Sequence, residues 1–180
     1  RANANDAPLR ETLAAAMVML THYRGRDFIW DPFCGSGTIP IEAAMLARNI
    51  APGLNRNFAS EAWERIGKEP WKQARKEAYQ AIDYDVMPEI YGSDIDPDAI
   101  ELAKANAELA GVDDCITFEV KPSQDVTVPG KYSVLISNPP YGERIGEMRA
   151  VERLYGDLGK VYRRLDSWSF YLIPSHPSFE

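Results

Sequence analysis

Asn138-Pro139-Pro140-Tyr141 is the segment whose residue types most directly suggest chemistry. Two prolines fix φ and stiffen the turn. Asn138 then offers a side-chain carbonyl and Pro139 a backbone carbonyl, two acceptors at one rigid corner. Such a pair can take both hydrogens of an exocyclic amine. On a nucleobase that amine is a weak nucleophile, because its lone pair is delocalised into the ring. Two fixed acceptors favour the pyramidal amine and stabilise the positive charge that develops as nitrogen attacks the methyl of a sulfonium. Tyr141 is suited to stack on a base that is flipped out or already unpaired. The plain alternative is a rigid surface turn.

Two further clusters carry chemistry. Asp31-Pro32-Phe33-Cys34-Gly35-Ser36-Gly37-Thr38 follows a short apolar run, and its glycines let the backbone turn tightly and approach a ligand closely. It is not a P-loop, since Gly37 is followed by Thr38 with no lysine. It is not the dinucleotide fingerprint either, since Pro40 stands where the third glycine belongs. What remains is a glycine turn beside a carboxylate, Asp31, which suits a cationic or hydroxyl-bearing ligand of nucleoside type better than a pyrophosphate. The third cluster is Gly92-Ser93-Asp94-Ile95-Asp96. Asp94 is the candidate to hold a ribose diol, because one carboxylate can accept from both hydroxyls. Asp96 is favoured as a helix cap. An insertion, residues 52–88, separates the first cluster from this acid by more than the usual spacing of about 20 residues.

Other residues weigh less. Cys34 reads as a buried filler, and no histidine lies near it in sequence; His22 and His176 read as structural or surface residues. Arg144, Arg163 and Arg164 could touch phosphates, although a solvated helix face is their default. Asp125 either meets the amino group of an adenine or merely starts a turn.

These residues need elements to position them. The Ala- and Leu-rich stretch Leu9 to Leu20 favours a helix, and Asp27 to Asp31 a strand. A helix over 39–49, closed by Pro52-Gly53, leads into the charged and aromatic residues 54–88, which read mostly as helix. Glu89 to Asp94 is a strand. Asp96 then caps, and Pro97 opens, a helix that Gly111 ends. Strands over 116–120, 132–137 and 169–173 follow, with Val151, Leu154, Leu158 and Val161 spaced for a helix over about 150–164. Strand–helix alternation with continuously apolar strands predicts an α/β fold, a mostly parallel open sheet with helices on both faces. Ligands of such sheets bind beyond the carboxyl ends of the strands. All three clusters fall at such ends.

Composition sets the frame. The 180 residues carry 20 Lys+Arg against 27 Asp+Glu, a formal net charge of −7, and are 45% hydrophobic. That length predicts one domain over residues 1–180 with a core that needs no disulfide. The acidic balance argues against an independent grip on nucleic acid, whose phosphates call for a basic surface. No apolar run approaches the roughly 18 residues of a membrane span. Cys34 and Cys115, with no neighbouring ligand residues, indicate neither a disulfide framework nor a metal site, and point to a reducing, cytoplasmic compartment. The start at Arg1, with no Met and no signal peptide, points to a fragment of something longer.

The clusters at 31–38, 92–96 and 138–144 together resemble the amino-methyltransferases that use S-adenosylmethionine. More narrowly, the chain is similar to the bacterial 23S rRNA guanine-N2 methyltransferases, a group long labelled N6-adenine-specific DNA methylases. The opening Ala7 to Ala14, the stretch Pro52 to Arg56 and the closing Trp168 to Glu180 extend the likeness along essentially the whole chain. The resemblance implies a Rossmann-like class I methyltransferase fold. It places Asp31 and Gly35 at the methionine part of the cofactor, Asp94 on its ribose and Asp125 near its adenine. Phe33, Gly37, Thr38 and Ile95 complete the cofactor set, which shares Asn138. It puts Asn138 through Tyr141 on the target base, with no metal. The family's THUMP domain, which binds RNA, and its later strands are absent from these 180 residues. The expected unit is therefore a C-terminally truncated catalytic domain that meets ribosomal RNA through a missing domain. DNA adenine and a protein glutamine amide present the same NH2 group, so the motif leaves them open, as it does a non-catalytic nucleotide-binding module or an altered oxidoreductase.

Overall fold

Ile29 of the first strand, β1 (Ile29–Asp31), pairs with Ile90 of β2 (Ile90–Asp94) on one side and with Val134 of β4 (Val134–Ser137) on the other. Outward from these, Ile90 pairs with Ile116 of β3 (Ile116–Val120), and Leu135 with Phe170 of β5 (Ser169–Leu172). The computed structural model, which describes residues 9–125, 132–140, 145–165 and 167–173, thus holds a five-stranded sheet in the order β3-β2-β1-β4-β5, with every pairing parallel. The expected mostly parallel sheet is wholly parallel among the described residues.

This register sorts the side chains onto two faces, as a period of two demands. Ile29, Ile90, Ile116, Val134 and Ile136 join one core with α1 (Glu11–Leu20), α2 (Thr38–Ala47) and α4 (Pro97–Ala110). Trp30 and Leu135, one residue further along, join the opposite core with Leu158 and Val161 of α5 (Ile145–Tyr162) and with Trp168. Helices therefore cover both faces. The chain leaves β1 toward β2 while β4 lies on its other flank, so the loops after β1 and β4 part and leave a crevice at the switch point.

Local chemistry explains most boundaries. Asp96 caps α4 by accepting from the Asp98 N–H at 2.9 Å, Pro97 occupies its first turn, and Gly111 ends it at φ +70°. α5 starts at Ile145, earlier than its apolar spacing alone indicates. Residues 54–88 are less helical than expected. Only the short 3₁₀ turn Ala59–Ala62 and α3 (Glu69–Gln80) are regular there. Gly67, at φ +72°, breaks the run between them. The segment is held by Arg75, which donates to the Leu54 and Arg56 carbonyls at 2.6 and 2.7 Å and to Glu61 at 2.6 Å.

Candidate active site

Asp31 ends β1 and is 3% exposed. Its Oδ1 accepts from the Phe33 N–H at 3.1 Å and from the Ser137 hydroxyl at 2.5 Å. The first bond shapes the turn after β1. The second ties the end of β1 to the last residue of β4, directly before Asn138. Burial is the main force on this carboxyl and, with the nearby Asp94 charge, outweighs the two hydrogen bonds, so its pKa is pushed up to about 7. A carboxyl that titrates near neutrality in a crevice is a marker of function.

The glycine turn is fastened to the neighbouring strand. Cys34 N–H donates to the Ser93 carbonyl at 3.0 Å, and Gly35 N–H donates to Asp94 Oδ2 at 3.0 Å. Asp94 Oδ1 accepts from the Asp96 N–H at 3.1 Å. Each carboxylate oxygen thus spends one lone pair on backbone and keeps another for a ligand. Behind the turn, Asn106 donates to the Ser36 carbonyl at 3.0 Å, and Trp30 Nε1–H donates to Ser93 Oγ at 3.1 Å. Gly37, at φ +80°, lies where an added Cβ would stand 3.0 Å from Ala103 Cβ and 3.1 Å from the Phe118 ring. It is required there by packing and by backbone conformation.

These strand ends enclose a cleft of about 610 Å³, within the usual range of roughly 300–1,000 Å³ for small-molecule sites. Asp31, Phe33, Gly35, Thr38, Asp94 and Ile95 line it, and so do Asn138, Pro139 and Pro140. Most of the residues singled out from sequence therefore meet in one place. Gly37 does not line the cleft but packs behind it, and Asp125 is exposed and also outside the lining. Tyr141 and Arg144 lie outside the described residues. Cys34 lines the cleft too, but burial raises its thiol pKa well above the ordinary value, which fits a packing residue and not a nucleophile. Asp96 has the capping role already described. Among the described residues no cluster of His, Cys, Asp and Glu could hold a metal ion, and no helix is long and apolar enough to cross a membrane.

Several lining residues escaped sequence reasoning. Ser137, fully buried behind the wall, also escaped it; its one signal was a hydroxyl closing an otherwise apolar strand, and its partner is 106 residues away. Pro122, Ser123 and Gln124 offered none.

The family model described as "RMKL-like, methyltransferase domain" matches residues 1–180. The chain belongs to this family. YpsC of Bacillus subtilis (strain 168), provisionally named an RNA methyltransferase, is 49% identical over 100% of this chain and 47% of its own length. The ribosomal RNA large subunit methyltransferase K/L of Shewanella sediminis (strain HAW-EB3) is 42% identical, with 97% of this chain and 26% of that protein aligned. Among solved structures, a protein from Listeria monocytogenes described as a predicted N6-adenine-specific DNA methylase superposes with a TM-score of 0.95 at 47% identity, over 100% of this chain and 47% of that one. SMU.472, provisionally described as a methyltransferase and solved with SAH, gives a TM-score of 0.93 at 39% identity, over 98% of this chain and 47% of that one. This RMKL-like chain thus spans about half or less of the relatives it matches. Its Rossmann-like methyltransferase fold is the one the resemblance implied, and its parallel open sheet is the one that strand–helix alternation led us to expect.

Proposed function

We propose that this RMKL-like chain is the catalytic domain of an S-adenosylmethionine-dependent methyltransferase acting on the exocyclic amine of an RNA base, guanine N2 of 23S ribosomal RNA. One observation carries the reading: the Asn138-Pro139-Pro140 corner and the carboxylates Asp31 and Asp94 line a single cleft at the switch point of the sheet. The donor set fits the cofactor. Two carboxylates repel a pyrophosphate but suit a ligand with an ammonium at one end and a ribose diol further on. Asp31 is assigned to the ammonium and Asp94 to the diol, with Phe33, Gly35, Thr38 and Ile95 as the surrounding wall. S-adenosylmethionine supplies the methyl carbon, which departs with the C–S electron pair left on sulfur.

The rest belongs to the chain. Asn138 Oδ1 and the Pro139 carbonyl accept the two amine hydrogens, aim the nitrogen lone pair into the cleft and stabilise the positive charge as the N–C bond forms. The proton then shed by nitrogen passes to water. Pro139 is fully buried, so this acceptor is fixed before the base arrives and costs no reorganisation. Tyr141 is assigned to stack on the base. With a net charge of −7 the chain is poorly made to grip phosphates. We therefore assign RNA capture to a separate domain and the reaction to the cytoplasm, where ribosomal RNA is found.

The names of relatives support RNA as the substrate, and the Listeria neighbour supports adenine N6 in DNA as a second reading. Both substrates present the same NH2 group to Asn138. Full-length protein incubated with labelled S-adenosylmethionine and either undermethylated ribosomal RNA or DNA, followed by nucleoside mass spectrometry, separates them. N2-methylguanine in the RNA is expected. N6-methyladenine in the DNA alone would replace this reading with the second, and no methyl in either would remove both.

A further inference from the structure

Ser137 closes β4 and does not line the cleft, yet it stands between two groups assigned to the reaction. It is fully buried at the end of an otherwise apolar strand, Val134-Leu135-Ile136. Alanine would fit the same space, and a hydroxyl buried there is costly unless it is bonded. Its Oγ donates to Asp31 Oδ1 at 2.5 Å, and its carbonyl accepts from the Ile173 N–H at 3.2 Å. The first contact matters for position, because the ladder between β1 and β4 ends early. Its register covers Ile29 with Val134 and Trp30 with Leu135. Past that point the serine–aspartate bond ties the two strand ends together. The next residue is Asn138.

The strength of that tie depends on the state of Asp31. A hydroxyl donates more strongly to a carboxylate than to a neutral carboxyl. An ammonium brought to Asp31 holds it ionised, so it strengthens the bond that fixes the residue before the amine acceptor. Such coupling is reciprocal, and a base seated on Asn138 holds the ammonium ligand more tightly in turn. The other titratable groups bearing on Asp31 are Asp94 of β2 and Cys34 of the glycine turn. Asp94 accepts from the Gly35 and Asp96 N–H groups, and burial keeps Cys34 a neutral thiol.

We infer that Ser137 is a positioning residue, through which a ligand's ammonium on Asp31 sets the placement of the amine acceptor Asn138. The inference rests on the methyltransferase reading of this cleft. Ser137→Ala and Ser137→Cys in the full-length protein test it by three measurements. Burial raises the Asp31 pKa and the Ser137 bond opposes it. Without the hydroxyl, the pH midpoint of S-adenosylhomocysteine binding should rise by about one unit. That raises the calorimetric Kd about fivefold at pH 7 and hardly at all at pH 9. The pH at which the ligand-free protein begins to lose melting temperature should rise by the same amount, because the buried neutral carboxyl then persists to higher pH. At pH 9 with cofactor saturating, kcat of Ser137→Ala on undermethylated ribosomal RNA should fall about 10–100-fold, the scale of a reacting group displaced by up to about 1 Å. Ser137→Cys keeps a weak donor and should fall between alanine and wild type. Wild-type kcat in Ser137→Ala would overturn the inference. So would a lost rate with both pH midpoints unmoved, which is what a packing role alone produces. If the wild-type protein neither bound S-adenosylhomocysteine nor transferred a methyl, the cofactor reading would fall, and this one with it.

Discussion

Asp31 allows a pH experiment whose sign and size follow from its surroundings. Burial raises its pKa from 3.8 to about 7. The carboxyl is therefore largely protonated at pH 6 and largely ionised at pH 8. If it receives the ammonium of the cofactor, binding holds it ionised, and below pH 7 a proton must leave before the ligand is held. The apparent Kd then rises by about 10-fold from pH 8 to pH 6, and about half a proton is released on binding at pH 7, the values for one group with pKa 7. Stability follows the same linkage. The folded-state pKa lies above the unfolded one, so the favourable contribution is complete below about pH 4 and is lost as pH rises through 7. The full difference corresponds to about 4 kcal/mol against the empty chain at pH 8. Asp31→Asn keeps an oxygen able to accept from Phe33 and Ser137 but cannot titrate. It should flatten both profiles and stabilise the empty chain at pH 8. Calorimetry of S-adenosylhomocysteine binding in buffers of different ionisation enthalpy, at pH 6, 7 and 8, measures affinity and proton release together. A Kd constant across that range, or the same pH slope in Asp31→Asn, would refute the reasoning.

Three other outcomes are expected. Asn138→Ala should abolish methyl transfer with little change in cofactor affinity, and turnover retained in a tritiated-methyl assay would defeat the assignment of the acceptor corner. Asp94→Ala should weaken cofactor binding by about 1–3 kcal/mol, the range for a lost charged hydrogen-bond partner; an unchanged calorimetric Kd would remove Asp94 from the site. Gly37→Ala forces a side chain onto a backbone at φ +80° and against Ala103 and Phe118. Strain and overpacking together should cost about 2–4 kcal/mol and lower Tm by roughly 5–15 °C, and a melting curve matching wild type would show that the loop yields.

How much of this was legible in the chain depends on the distance over which each cause acts. Asp96, Pro97 and Gly111 delimit α4 by contacts within a turn, so residue type and spacing suffice to place it. The runs at 27–31, 89–94 and 132–137 read as strands for a similarly local reason, and the structure trims them to 29–31, 90–94 and 134–137. Residues 54–88 misled because helix-forming composition competes there with Gly67 and with Arg75, which holds the segment through carbonyls 19 and 21 residues away. Ser123 and Asp125 show the same limit inside one turn. At three residues per turn, positions two apart cannot share a face, and the acid at 125 is exposed and outside the cleft wall that the serine helps to form.

The Asp31–Ser137 bond shows what adjacency adds. Nothing within a few residues of either explains it, because its cause is the strand order, which sets β1 beside β4. Its consequence is functional. One oxygen of the carboxylate assigned to the cofactor also grips the residue before the proposed acceptor of the amine. Any shift of β4 against β1 must break a buried bond to a group already costly to ionise. The two halves of the proposed reaction are therefore coupled through a single atom, Oδ1 of Asp31, and the same contact that biases its proton helps to hold Asn138 in place.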